Sequence, residues 1–278
     1  MPLRYTAGVT GTINAANTID PAVIEDVAAL LASSRSVLFI TGAGISADSG
    51  LPTYRGIGGL YEDADAEEGI PIEVALSGSM LHARPEVAWR HIHRIEAACR
   101  GARFNRAHAI IAELEKRLPR VWVLTQNVDG FHRDAGSRNI IEIHGNVHHL
   151  SCTRCAWHEC VTDFSALAIP PYCQNCGGLV RPDVVLFGEW LPRAAMAEMT
   201  TQLERGFDLV FSVGTTSAFP YIAGPVVTAR RAGLPTVEIN PGTTEVSHFA
   251  EYRIRAGARD ALEALWQAYL ARTSADRA

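Results

Sequence analysis

Four cysteines, Cys152-x2-Cys155 and Cys173-x2-Cys176 with seventeen residues between the pairs, constrain this chain more than any other feature. Two C-x2-C pairs at that spacing form a metal-ligand pattern, and four thiolates saturate tetrahedral Zn²⁺ without leaving a position for water. The implied zinc is therefore structural, holding a lobe too small to build its own core. Six cysteines in 278 residues do not make a disulfide scaffold. Cys99 and Cys160 stand outside the pattern and read as ordinary thiols. His144, eight residues ahead of Cys152, is not needed as a ligand, and neither are His148, His149 and His158.

The rest of the chain alternates apolar runs with helical patterns. "SVLFITG" (36–42), "RVWVLTQN" (120–127), "FDLVFSVGTTS" (207–217) and "PTVEIN" (235–240) read as strands covered on both faces, and "NIIEIHGN" (139–146) as a strand ending in a glycine turn. Asp20-Pro21 caps a helix running to about Ala32. Further helices are expected over 108–118, 221–233 and 259–271. Such alternation predicts an α/β fold: a Rossmann-like, doubly wound parallel sheet with a small zinc-binding lobe and a helical insert. The sheet domain would comprise residues 20–55, 105–146 and 187–272. The zinc lobe would span 147–186, and a cofactor loop with a helical insert 56–104.

Ligands of such sheets bind beyond the carboxyl ends of the strands, here Gly42-Ala43-Gly44, Gln126-Asn127, Gly214-Thr215 and Asn240. In "TGAGISADSG" closely spaced glycines precede an expected helix, whose N-terminus would favour a pyrophosphate. Ala47 occupies the third glycine position of G-x-G-x-x-G, which disfavours a dehydrogenase. His144 at the rim of the inter-lobe cleft can titrate near neutrality as a general base; spacing alone leaves catalysis and a structural role equally open. The net charge of −5 disfavours a nucleic-acid footprint. No apolar run reaches the ~18–20 residues of a membrane span, and the first twenty residues carry no secretion pattern, so a cytoplasmic protein is expected.

Taken together, "GAGISADSGLPTYRG" (42–56), "TQNVDGFH" (125–132), "HGN" (144–146), the four cysteines, "RPDVVLFGE" (181–189), "VGTTS" (213–217) and "EIN" (238–240) resemble the sirtuin family of NAD-dependent protein deacylases. Their layout is similar to the bacterial, desuccinylase-like branch. The resemblance implies NAD⁺ as co-substrate, one structural Zn²⁺, and an acylated lysine on a protein or peptide as partner, with the chain a monomer. Gly42, Ala43 and Gly44 would contact the pyrophosphate through backbone amides, with Ser46 in the same loop and Arg55 over the cofactor. Asp48 stands where the family usually has glutamate. Gln126 would touch the nicotinamide ribose, and Asn127 and Asp129 would form the nicotinamide pocket. Gly214, Thr215, Thr216 and Ser217 would hold the phosphate and ribose side. Asn240 would meet the adenosine ribose and Ala258 the adenine. Val185, Phe187 and Gly188 would pair with the substrate peptide by β-augmentation. The acyl-lysine oxygen would attack the ribose carbon as nicotinamide leaves. His144 would draw a proton from a ribose hydroxyl, and the acyl group would end on ADP-ribose.

Desuccinylase-like members grip an acyl carboxylate with a Tyr-x-x-Arg pair. In "RPEVAWRHIHRIEAA" (84–98) the corresponding positions are Ile92 and Ile95, which predicts a preference for acetyl or other neutral acyl groups. His91-x-x-Arg94 keeps the same spacing one residue away and would restore acidic-acyl binding. A mono-ADP-ribosyltransferase or NAD-glycohydrolase would use the same nicotinamide pocket, although the complete motif set favours deacylation. A zinc-ribbon binding module on a nucleotide-sensing fold, without turnover, is the alternative outside enzymes. The stretch "SAFPYIAG" (217–224) departs from the family, with Pro220 preceding Tyr221 where tyrosine often precedes proline.

Overall fold

The computed structural model describes residues 19–51 and 69–275. In chain order the elements are α1 (Pro21–Ser33), β1 (Ser36–Thr41), α2 (Ile72–Ala75), α3 (Gly78–Ala83), α4 (Pro85–Cys99), α5 (Arg106–Arg117), β2 (Arg120–Thr125), α6 (Phe131–Asp134), β3 (Ile140–Glu142), β4 (Gly145–Cys152), β5 (His158–Cys160), β6 (Val180–Val184), α7 (Arg193–Glu204), β7 (Leu209–Val213), α8 (Pro220–Arg231), β8 (Thr236–Ile239), β9 (Tyr252–Ile254) and α9 (Ala258–Ala275).

Six strands pair in parallel in the order β3-β2-β1-β7-β8-β9. The continuous apolar runs are explained by cover on both faces. Val37 and Phe39 of β1 face the core made with α1, α5 and α9, where Phe39 stacks on Phe211 at 4.7 Å. Leu38 and Ile40 face a second core that includes Ile222 and Val226 of α8 and Met199 of α7. A fully buried side chain of this kind contributes roughly 1.5–3 kcal/mol. The expected α/β sheet is present, and β9 and α7, which the sequence reading did not anticipate, complete it.

Sequential strands step away from β1 through β2 to β3, whereas the chain returns on the other side of β1 as β7, β8 and β9. The order reverses between β1 and β7, so a crevice opens there, beyond the strand ends. Thr41 is level with Thr125 and with Val213 across the sheet. That register puts Gly42, Gln126 and Gly214 side by side at one edge.

One expectation is corrected. Among the described residues directly after β1, the glycine-rich stretch forms two single 3-10 turns, Ala43–Ile45 and Ala47–Ser49, in place of the expected α-helix, so no helix dipole builds up there. The insert and the cysteine lobe also share one core, in which Leu81, Trp89 and Ile92 pack with Leu150, Phe164 and Val180. The Trp89 indole N–H donates to the Val180 carbonyl at 2.9 Å, tying α4 to the antiparallel sheet β5-β4-β6.

Candidate active site

The loop after β1 is seated on the loop after β7 by backbone contact. The Gly42 amide donates to Val213 O at 3.1 Å and the Gly44 amide to Gly214 O at 2.8 Å. Gly214 itself has φ +59°, and a Cβ there would meet Ile45 N at 2.4 Å. Glycine is thus required for two loops to touch. The Gly42 and Gly44 amides, expected to contact a pyrophosphate, both have acceptors within the protein.

Helix α5 fixes the same loop from the other side. Asn105 caps α5 by accepting from Ala107 N, and its side-chain N–H₂ donates to Ile45 O and Ser49 Oγ at 2.8 and 3.0 Å. His108 Nδ1 accepts from Asn105 N, so Nε2 carries the hydrogen and points to Ser46 Oγ at 3.4 Å. Ser46 in turn donates to Asp129 at 2.7 Å and accepts from the Asn127 side-chain Nδ2 at 3.2 Å. Burial pushes the Asp129 carboxyl above its usual range, although the Phe131 N–H and the Ser46 hydroxyl oppose this. Beneath the network lies His132, completely buried and bonded to Thr41 Oγ1 at 3.0 Å.

Ser46, Asn127, Asp129 and Ala43 line a cavity of about 490 Å³, closed on the far side by Ile95 and Cys99 of α4. The Cys99 thiol is pushed up to about 11 by burial, then by the Asp129 and Glu96 carboxylates, so it stays protonated there. Ile92, named with Ile95 for an acyl pocket, is instead buried in the core of the small lobe. Arg94 is exposed on the opposite side of the helix turn.

His144 does not line that cavity. It follows β3, and its Nδ1 lies 3.1 Å from Gln126 O while Nε2 lies 2.7 Å from the Tyr221 hydroxyl. A carbonyl can only accept, so Nδ1 carries the hydrogen and Nε2 keeps its lone pair. Burial lowers the imidazole below its ordinary value, against the Gln126 bond, which leaves it neutral at pH 7. Nothing in the sequence reading paired Tyr221 with His144; the aromatic residues on either side of Pro220 were the available signal.

Other named residues fall on the crevice between β1, β2 and β7. Gln126 donates to Thr215 Oγ1 at 2.8 Å, Ser217 N donates to the same oxygen, and Asn240 donates to Thr215 O. Ser217 adopts φ +54°, a left-handed conformation uncommon outside glycine. Thr216 is exposed beside it, and Ala258 is buried at the start of α9. Asp48 accepts from Arg259 N at 3.2 Å and so anchors the start of α9. Arg55 lies outside the described residues.

The backbone of the proposed peptide strand is partly spent. Val185 N donates to His144 O, Phe187 N donates to Leu76 O, and Phe187 O accepts from Gly78 N. Gly188, exposed at φ +80°, makes no backbone hydrogen bond among the described residues. Phe187 was expected to pair with a peptide, yet both its backbone groups are bound to the link between α2 and α3. Glu189 holds this turn by gripping the Arg181 guanidinium with both oxygens, at 2.6 and 2.8 Å.

The sulfurs of Cys152, Cys155, Cys173 and Cys176 all lie within 4.8 Å of one another, with Cys152–Cys176 at 3.4 Å and Cys155–Cys173 at 3.7 Å. Tetrahedral Zn–S bonds of about 2.3 Å require sulfurs about 3.8 Å apart, so the donor set and its spacing fit one zinc. Among the described residues no histidine joins this cluster.

Comparison with known proteins identifies the family. Residues 42–219 match the model of the Sir2 family. A protein named NAD-dependent protein deacylase 2 from Pseudomonas aeruginosa is 48% identical over 240 residues, covering 85% of this chain and 93% of that protein. An NAD-dependent protein deacylase from Thermococcus sibiricus is 36% identical, covering 87% of this chain and 95% of the relative. Among solved structures, a complex of a Sir2 homologue with NAD aligns with TM-score 0.79 and 33% identity, over 89% of this chain and 94% of that one. A Sir2 variant bound to a deacetylated p53 peptide and 3′-O-acetyl-ADP-ribose aligns with TM-score 0.78 and 29% identity, over 87% and 97%.

Proposed function

This chain belongs to the Sir2 family, and from that premise we propose that it is an NAD⁺-dependent protein-lysine deacylase. The observation that carries the reading is His144: a neutral, half-buried imidazole with a fixed tautomer, bonded to the loop that also supplies Asn127 and Asp129 to the cavity. Relatives named as NAD-dependent protein deacylases and neighbours holding NAD or an acetyl-ADP-ribose support it.

Bound NAD⁺ supplies the electrophilic ribose carbon from which nicotinamide departs and the ADP-ribose that carries the acyl group away. The protein's own groups divide the remaining work. Asn127, Asp129 and Ser46 present a polar end to the cavity that suits a carboxamide such as that of nicotinamide. Gln126, Thr215, Ser217 and Asn240 form a hydrogen-bonded cradle at the crevice where the sheet order reverses. Gly42, Gly44 and Gly214 act by bringing the two loops together. His144 Nε2 accepts a proton from a ribose hydroxyl, which requires the neutral form that burial favours. Gly188, with its unspent backbone groups, is the point at which a peptide strand adds, and Phe187 flanks it as an exposed aromatic ring.

The four cysteines hold one structural zinc and touch no reacting atom. Neutral acyl groups are preferred, since Ile95, the α4 side chain of the two named that meets the cavity, is apolar and itself offers a carboxylate no hydrogen bond. The protein acts on acylated protein lysines as a monomer in the cytoplasm, and not on nucleic acid; among the described residues no helix is long and apolar enough to cross a membrane.

The test is mass spectrometry of an acetyl-lysine peptide incubated with and without NAD⁺. Loss of the acetyl mass only with NAD⁺, together with an acetyl-ADP-ribose product, is the expected result. A target that keeps its acetyl group and gains an ADP-ribose mass contradicts the reading.

A further inference from the structure

Phe219 and Tyr221, at the head of α8, form an aromatic pair next to the base. Their rings stack at 5.4 Å with 15° between planes, and both meet the His144 ring edge-on, at 5.8 and 5.9 Å. Pro220 between them opens the helix and fixes the backbone at that point. The consequence concerns one atom. Gln126 O occupies the hydrogen on Nδ1, so Nε2 offers the ring's single lone pair, and the Tyr221 hydroxyl lies on it at 2.7 Å. The position that has to receive the substrate's proton is therefore already filled by a donor from the protein.

We propose that Tyr221 is a positioning residue for the base, holding neutral His144 by Nε2 before the dinucleotide binds and yielding that bond to a ribose hydroxyl when it does. The inference deepens the deacylase reading and rests on it. In the resting arrangement both ring nitrogens are tied, one to a main-chain carbonyl and one to a phenol, so the imidazole is held in the plane and tautomer that proton abstraction needs. On binding, the ribose O–H takes the place of the phenol O–H at Nε2. The proton then passes from the ribose oxygen to Nε2, and the electron pair of the broken O–H bond stays on that oxygen. Tyr221 keeps its own proton throughout; burial pushes its hydroxyl up to about 12, which makes it a poor proton source. A phenol is both donor and acceptor, so after transfer it can accept from the new Nε2–H and hold the imidazolium in the same place.

Competition for one lone pair gives a signature that a merely structural tyrosine does not. Tyr221→Phe keeps the ring and its stack on Phe219 but removes the competitor. NAD⁺ should then bind two- to tenfold more tightly, the range set by one exchanged neutral hydrogen bond. Turnover should fall, because the ring has lost one of its two ties. The measurement is calorimetric NAD⁺ binding in the absence of peptide, paired with kcat on an acetyl-lysine peptide, for wild type and Tyr221→Phe. Tighter binding with lower kcat supports the proposal. Unchanged or weaker NAD⁺ binding by the folded variant overturns it, whatever kcat does. A second arm needs no variant: ¹⁵N-histidine NMR of the wild-type protein should show His144 as the Nδ1–H tautomer, with its Nε2 signal moving when ADP-ribose is added. The opposite tautomer overturns the proposal. Wild-type protein that binds no NAD⁺ removes both this inference and the deacylase reading, whereas NAD⁺ binding without the split between variant and wild type removes only this inference.

Discussion

A Cβ placed on Gly44 would sit 2.7 Å from the Cα of Gly214. The loops that follow β1 and β7 are pressed together backbone to backbone, and the Gly44 amide bonds the Gly214 carbonyl at 2.8 Å. A methyl group at Gly44 must push the loops apart, since the obstacle is main chain rather than a flexible side chain. Gly44→Ala is expected to lose about 1–3 kcal/mol of stability in urea unfolding and most of its NAD⁺ affinity. Gly224→Ala, in open space on α8, should be neutral or gain up to about 1 kcal/mol. Equal stability of the two variants contradicts this account of the glycines.

The cysteine cluster predicts one zinc per chain by elemental analysis. Cys176→Ser should lose the metal, and because the insert and the cysteine lobe share one core, α4 should loosen with it. Near-ultraviolet circular dichroism from Trp89 would report that change. The melting temperature should drop by roughly 10 °C or more, given that about 1 kcal/mol shifts Tm by roughly 2–4 °C in a chain of this size. A metal-free variant with an unchanged melting curve refutes a structural zinc.

Acid should destabilise the fold through the histidines under the crevice. His108 falls from 6.5 to about 4 by burial, and His132 is lowered in the same direction by burial and by His108. Between those values the unfolded chain binds protons that the folded one refuses. Their contribution is therefore fully present at neutral pH and lost as pH falls through 6.5 towards 4. For His108 the loss is on the order of 3 kcal/mol. In urea titrations His108→Gln should flatten the pH dependence of stability in that window; an unchanged slope shows that His108 is not its source.

One peptide carrying acetyl, longer fatty acyl and succinyl groups in turn tests the acyl preference. Acetyl or fatty acyl should be removed faster than succinyl, with Arg94→Ala changing the ratio by less than about threefold, as befits an exposed side chain. Preferential succinyl removal that disappears in Arg94→Ala contradicts the neutral-acyl reading and restores the His91/Arg94 alternative.

The parts of the molecule legible in the sequence were those written in local chemistry. Buried parallel strands declare themselves as continuous apolar runs, so β1, β2, β7 and β8 were found to within two residues at most edges. The cysteine cluster is a spacing, and spacing survives folding. By contrast, β9 spans three residues, Tyr252–Ile254, two of them only half-buried, and carries no run to recognise. The 3-10 turns after β1 were misread as a helix start because glycine spacing looks alike for a phosphate loop and for a loop packed on another loop; only the position of Gly214 tells them apart. The bond between His144 and Tyr221 joins residues 77 apart in the chain. Which aromatic ring at the head of α8 turns towards the base depends on the packing of α8 against β7, not on any local pattern.

The central claim is that His144, and not a metal ligand or a passive core residue, takes the proton that deacylation requires. NAD⁺-dependent removal of acetyl from a lysine peptide by His144→Ala, with its zinc content and NAD⁺ binding measured alongside, tests it most directly. The account predicts a rate reduced by about 10²–10⁴-fold in a protein that still holds one zinc and still binds NAD⁺. Deacetylation within a few-fold of wild type, or loss of the zinc on removing this imidazole, would contradict it.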